Sequence, residues 1–181
     1  MELSAYLAVS LDGFIARANE SMDWLRGDGP RPAAEAERYR TFMQSVDGVV
    51  MGRATFETVR HEPVWPYGTT PVIVLSSTTP DVPDALVSVV EHMRGSAAEL
   101  VSQWESRGWT HVYVDGGRTI QTFLAAGLLH RLVLNRVPVL IGTGIPLVGP
   151  LPADHWLDHV VTTAYPGGLV QSEYLVRRPG S

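Results

Sequence analysis

The 181-residue chain contains no cysteine, so disulfides, thiolate metal sites and a cysteine nucleophile are all excluded. No apolar run reaches membrane-spanning length. The start, Met1-Glu2-Leu3-Ser4, lacks the positively charged segment and apolar core of a signal peptide, so a cytoplasmic protein with no membrane partner is expected. Excess positive charge is missing as well. Fourteen basic and 19 acidic side chains give a formal net charge of -5, which argues against nucleic acid as a partner. Neither Gly-x-Gly-x-x-Gly nor Gly-x-x-x-x-Gly-Lys occurs, which disfavours a Rossmann dehydrogenase and a P-loop enzyme. Of the histidines His61, His92, His111, His130, His155 and His159, only the last two are close in sequence. Pro152 and the apolar pattern after Trp156 favour extended chain there over a shared helical face, so no metal site is expected. Ser10, Ser76 and Ser77 have no His and Asp partners in a nucleophile-elbow setting, which disfavours a hydrolase.

What is present is ordinary for a globule: 45% hydrophobic and 18% charged residues. The length suits a single domain over residues 1–181. Leu3, Ala5, Leu7 and Val9 alternate as in a strand, and Asp12-Gly13 breaks it. From Ala33 the spacing of Tyr39, Phe42, Met43 and Val46 predicts a helix ending at Asp47-Gly48. The buried runs Val49-Val50-Met51 and Val72-Ile73-Val74-Leu75 read as strands, as do residues 86–90. Ser96 and Glu99 form a capping-box pattern ahead of Ala97, Leu100, Val101 and Trp104. Helical spacing returns through Ile120, Phe123 and Leu124, followed by a strand at residues 132–137 and two more around the Tyr165-Pro166-Gly167-Gly168 turn. Strands and helices alternate first and strands dominate later. The pattern predicts an α/β fold, a single central and largely parallel sheet flanked by helices and closed by an antiparallel C-terminal hairpin.

Three strand ends carry the chemistry: Met51-Gly52-Arg53, Leu75-Ser76-Ser77 and Asp115-Gly116-Gly117-Arg118. Open α/β sheets bind ligands at the carboxyl edge. Adjacent glycines allow special dihedrals and close approach of a ligand, and the helix behind them points N–H groups at it. Gly-Gly alone reads equally as a strand-to-helix turn. Two such helix starts with glycine beside arginine suit a ligand with more than one phosphate, and a dinucleotide fits better than a monophosphate. Asp115 is the exception, since an acid beside a pyrophosphate repels it unless its side chain points away or caps the helix.

Together these segments resemble the dihydrofolate reductase-like fold family, and within it the riboflavin biosynthesis reductase branch, the RibD C-terminal domain. The carriers are Ser10-Leu11-Asp12-Gly13-Phe14-Ile15-Ala16, Val50-Met51-Gly52-Arg53-Ala54-Thr55-Phe56-Glu57, Val74-Leu75-Ser76-Ser77 and Val114-Asp115-Gly116-Gly117-Arg118. The resemblance implies an oxidoreductase with NADPH as cofactor. It places Gly52, Arg53, Thr55, Gly116, Gly117, Arg118 and Thr119 on the pyrophosphate, Ser76 and Ser77 with Arg53 on the adenosine 2′-phosphate, and Ala8 and Ile15 beside the nicotinamide. It implies a small heterocyclic or carbonyl substrate, such as a pteridine or ribosylaminopyrimidine, and a homodimer. Asp12 and Asn135 are the substrate-pocket candidates, although Asp12 reads equally as half of an Asp-Gly turn. True dihydrofolate reductases carry an acid shortly after the loop tryptophan. Counted from Trp24, that place falls near Gly29-Pro30, with Asp28 beside it, so dihydrofolate is not the expected substrate. Glu35, Glu37 and Tyr39 lie on the helix that would wall the pocket, where exposed acids usually form a solvated face. The alternative to a reductase is a module that keeps the NADP(H) site without turnover, as a sensor or scaffold.

Overall fold

The computed structural model describes residues 1–26, 31–151 and 153–178. In chain order the elements are β1 (Glu2–Ser10), β2 (Phe14–Ala16), α1 (Ala33–Ser45), β3 (Gly48–Gly52), α2 (Arg53–Val59), β4 (Val72–Leu75), β5 (Val90–Met93), α3 (Ala97–Ser106), β6 (His111–Asp115), α4 (Gly117–Ala125), β7 (Arg131–Val137), β8 (Ile145–Pro146), β9 (Leu157–Ala164) and β10 (Val170–Val176). Short 3-10 helices cover Asp23–Arg26 and Asp84–Leu86. The eight-stranded sheet has the hydrogen-bonded order β5-β4-β3-β6-β1-β7-β10-β9, and β2 pairs with β8 apart from it. This is the α/β fold expected, with a largely parallel sheet and an antiparallel C-terminal hairpin.

The chain forms two compact units, residues 1–4 with 45–129 and residues 5–44 with 130–181. In the first, β5, β4, β3, β6 and the start of β1 are all parallel. Parallel strands are covered on both faces, which explains the continuous runs of Val, Ile and Met: Val49, Val50, Met51, Val72, Ile73, Val74, Val112 and Val114 are all buried. The covering helices contribute Phe56, Leu100, Trp104, Ile120 and Phe123, each worth roughly 1.5–3 kcal/mol of burial. Helix α3 begins with the predicted capping box, Ser96 and Glu99 satisfying one another's backbone amides.

In the second unit β7–β10 and β10–β9 are antiparallel. One expectation needs correction. The strand read at residues 86–90 is displaced, because Pro83 opens a 3-10 turn at Asp84–Leu86 and pairing with β4 starts only at Val90. Proline fixes φ and leads the chain into a tight turn. The segment thus bends before it extends.

Candidate functional site

In the first unit Met51 and Asp115 are register partners on adjacent parallel strands, so Gly52 and Gly116 leave the sheet side by side. Helix α2 starts behind Gly52 and α4 behind Gly116, whose φ is 85°, and neither helix has a side-chain N-cap. That φ is in the region that suits glycine and few other residues. The two turns are built around one another. A Cβ on Gly116 would overlap Thr55 Oγ1, and one on Gly52 would stand 3.2 Å from Thr119 Oγ1. Each glycine therefore makes room for the hydroxyl carried near the start of the other helix, which explains why Gly52-x-x-Thr55 and Gly116-x-x-Thr119 share a spacing.

The electrostatics of these helix starts are inverted. Helices α1 and α3 carry Glu35 and Glu99 in their first turns, whereas α2 and α4 have no acid there and carry Arg53 and Arg118 instead. A cation at a helix N-terminus opposes the macrodipole by roughly 0.3–1 kcal/mol. Two such placements, with glycine caps, concentrate positive potential and backbone N–H groups in one place. The arrangement has the donors for an anion.

Asp115 is turned aside. Its Oδ2 accepts the Tyr67 hydroxyl at 2.6 Å and its Oδ1 accepts the Gly116 amide at 2.8 Å. Burial pushes its carboxyl pKa up, against the lowering effect of the Tyr67, Gly116 and Tyr113 hydrogen bonds. Tyr67 is held in turn by edge-on packing against Trp65, which packs on Phe56. One oxygen is thus engaged by Tyr67 while the other takes the Gly116 amide, and no side chain caps α4, so the acid is held within the turn. Tyr67 escaped sequence reading because it comes from the loop after α2, 48 positions from Asp115.

The third strand end joins this group through Arg53, whose guanidinium donates to Thr78 Oγ1 and also lies 3.6 Å from Glu57. Ser76 Oγ accepts the Thr78 amide at 3.1 Å, and the Ser76 carbonyl accepts His92 Nε2 at 2.8 Å. Ser77 lies at the edge of this turn, and the hydroxyl that meets Arg53 is that of Thr78, within the Ser-Ser-Thr-Thr run but outside the residues singled out.

The second unit holds the remaining candidates. Ala8 lies on β1 and Ile15 on β2, both half-buried. Asp12 lies inside the turn closed by the Gly13 amide on the Ser10 carbonyl at 3.0 Å. Its Oδ1 accepts the Ser10 hydroxyl at 2.6 Å, and its Oδ2 accepts the amides of Gly142 at 2.7 Å and Ile141 at 3.1 Å. These hydrogen bonds, Ser10's first, hold its carboxyl below the usual carboxylate range. Asp12 therefore ties the Asp-Gly turn to the loop at residues 141–142. Asn135 on β7 is buried, its Oδ1 accepting Gln171 Nε2 at 2.8 Å.

Asn135 belongs to a buried polar cluster that sequence reading missed. Gln171 Nε2 also donates to the Tyr6 hydroxyl at 2.6 Å, and Tyr6 donates to Glu35 Oε1 at 3.0 Å. Arg31 donates to both Glu35 oxygens. Glu35 is only 1% exposed, so the expectation of a solvated acid is wrong at this position. A signal was available: Glu35 continues the Tyr39, Phe42 and Val46 stripe one turn toward the helix start. Burial, then the charge of Glu35, raises the Tyr6 pKa. Asp28 and the Gly29-Pro30 position lie outside the described residues. Among the described residues no group of three or more acids and histidines is placed to hold a metal ion.

A largely parallel sheet with an antiparallel C-terminal pair, two glycine-led helix starts and a hydroxyl-rich third strand end defines a dihydrofolate reductase-like α/β protein. The chain belongs to the RibD C-terminal domain family, whose family model matches residues 3–170. It is 33% identical over 175 residues to the uncharacterized protein YwjB of Bacillus subtilis (strain 168), covering 94% of this chain and 95% of YwjB. Among solved structures, a Shewanella sp. PV-4 protein ascribed to riboflavin biosynthesis superposes with a TM-score of 0.90 at 34% identity, covering 98% of this chain and all of that one. Dihydrofolate reductase from Enterococcus faecalis, complexed with NADP(H), superposes with a TM-score of 0.61 at 18% identity over 99% of this chain and 97% of its own, a likeness of fold. The family is reductase-like.

Proposed function

We propose that the protein is an NADPH-dependent reductase that transfers hydride to a small heterocyclic or carbonyl compound, of the pteridine or ribosylaminopyrimidine kind met in riboflavin and folate metabolism. The observation that carries this reading is the pair of interlocked glycine turns, arginine-bearing and uncapped, where α1 and α3 carry acids in their first turns. The fit is local and chemical: Gly116 admits the Thr55 hydroxyl beside it, and the hydroxyl and N–H donors of the two turns suit phosphate oxygens.

In this proposal Gly52, Arg53, Thr55, Gly116, Gly117, Arg118 and Thr119 bind the pyrophosphate, while Arg53 with Ser76, Ser77 and Thr78 binds a 2′-phosphate. Bound NADPH supplies the hydride. Ala8 and Ile15 exclude water from the reacting ring, and Asp12 and Asn135 orient the substrate. Asp115, turned onto Tyr67 and Gly116, keeps its charge off the phosphates. A second reading, an NADP(H)-binding sensor or scaffold, draws support from Glu35, whose oxygens are already taken by Tyr6 and Arg31. Monitoring NADPH oxidation with heterocyclic and carbonyl compounds separates the two. Substrate-dependent loss of NADPH absorbance is the expected result, and tight NADPH binding without turnover across the panel favours the sensor. A second copy of the chain is the proposed macromolecular partner, supported by the exposed apolar residues of β9.

A further inference from the structure

The polar cluster of the second unit has a direction that proton counting fixes. Arg31 donates to both oxygens of Glu35, so the carboxylate accepts and the Tyr6 hydroxyl, 3.0 Å away, gives it its one proton. The Tyr6 oxygen is then an acceptor toward Gln171, and the end of the Gln171 amide 2.6 Å from it has to be the NH2. The second hydrogen of that NH2 faces Asn135 at 2.8 Å, which therefore presents its carbonyl Oδ1. At its other end Gln171 Oε1 lies 3.5 Å from the Tyr165 hydroxyl, a donor. The two ends of an amide have nearly the same shape, so packing alone would accept either orientation. Here the protons decide it. With its Oδ1 given to Gln171, Asn135 has its NH2 end, two N–H donors, on the other side of the amide. Tyr6, Glu35, Asn135 and Gln171 are all buried, and burial makes a reversed amide, with like groups facing, costly.

We propose that Glu35 is a positioning residue that fixes, through Tyr6 and Gln171, the amide of Asn135 as a hydrogen-bond donor, so that the substrate group Asn135 meets is an acceptor such as a ring carbonyl. The substrate half rests on the reading above that Asn135 borders the substrate pocket. The orientation half does not. Glu35 here does its work three hydrogen-bonded partners away from the substrate, through Tyr6, Gln171 and Asn135, and nothing in its role requires it to give up a proton.

Couplings across hydrogen bonds in the 15N,13C-labelled full chain test the orientation. A correlation from Gln171 Nε2 to Asn135 Cγ is expected, and one from Asn135 Nδ2 to Gln171 Cδ would overturn the proposal. In Glu35→Gln the position gains a donor, and the Gln171-to-Asn135 correlation should be lost while the backbone spectrum stays dispersed. Persistence in the folded variant would overturn the control assigned to Glu35. Should Glu35→Gln fail to fold, Tyr6→Phe breaks the relay without touching the carboxylate, and the same loss is expected. For the substrate half, 1,3-dimethyluracil, whose polar groups are carbonyl acceptors with no N–H, should shift the Asn135 side-chain amide resonance of the NADPH-treated protein, and dilute guanidinium, which carries only N–H donors, should not. The opposite preference, or no response to either, overturns that half. Absence of NADPH turnover with the coupling intact would instead remove the reductase reading and leave the orientation standing.

Discussion

Asp115 is the residue whose chemistry is most dependent on its surroundings. Its pKa is raised by burial, so between the ordinary carboxylate range near pH 4 and the raised value the folded chain binds more protons than the unfolded chain. Stability then falls as pH rises through that window. Asp115→Asn, whose amide does not titrate and keeps one acceptor oxygen for the Tyr67 and Gly116 donors, should be less stable than wild type near pH 4, with the gap narrowing toward neutral pH. Urea denaturation at pH 7 and at pH 3.5–4 checks both halves. Gly116 was legible as the turn glycine between strand and helix, where its φ of 85° suits glycine. Glu35 was not, although its spacing put it on the apolar stripe, because an acid on a helix is solvated far more often than buried. Tyr6, which holds it, stands 29 residues away, and Gln171 comes from the last strand, beyond the reach of any local pattern.

Helices α3 and α4 have opposite N-termini and should respond oppositely to mutation. Ser96→Ala removes one half of the capping box and should cost ~1 kcal/mol by thermal or chemical denaturation. Arg118→Glu replaces a cation at the start of α4 by the acid a helix prefers and should stabilise the free protein by roughly 0.3–1 kcal/mol. NADPH affinity should fall in that variant. A loss of stability together with unchanged affinity would mean that the arginine serves the helix and not a ligand. Capping boxes, helix stripes and buried runs were readable because each is local. The start of β5 was not, since residues 86–90 show no strict alternation and the strand is defined by its pairing with β4, which begins at Val72↔Val90.

For the whole molecule, fold class followed from the order of elements: strands alternating with helices, then strands alone. The sheet order could not be read, because β6 lies between β3 and β1 and only long-range pairing puts it there. The edge strand β9 is exposed along nearly all its length, with Val160 at 49% and Val161 at 38% exposure. Exposed apolar edges invite pairing with another chain. Sedimentation should find a dimer, and Val160→Lys should shift it to monomer with NADPH affinity unchanged; a wild-type monomer under the same conditions contradicts the interface.

The most direct measurement is titration of the wild type and Gly116→Val with NADPH, followed by tryptophan fluorescence and by thermal stability. Wild type should bind, and at a ligand concentration of 100 Kd should gain about 2.7 kcal/mol of stability. Gly116→Val, forced out of its positive φ and into Thr55, should remain folded and neither bind nor be stabilised. Wild type that ignores NADPH, or a Gly116→Val variant that binds it as well as wild type, would contradict the assignment of the paired glycine turns as a phosphate cradle.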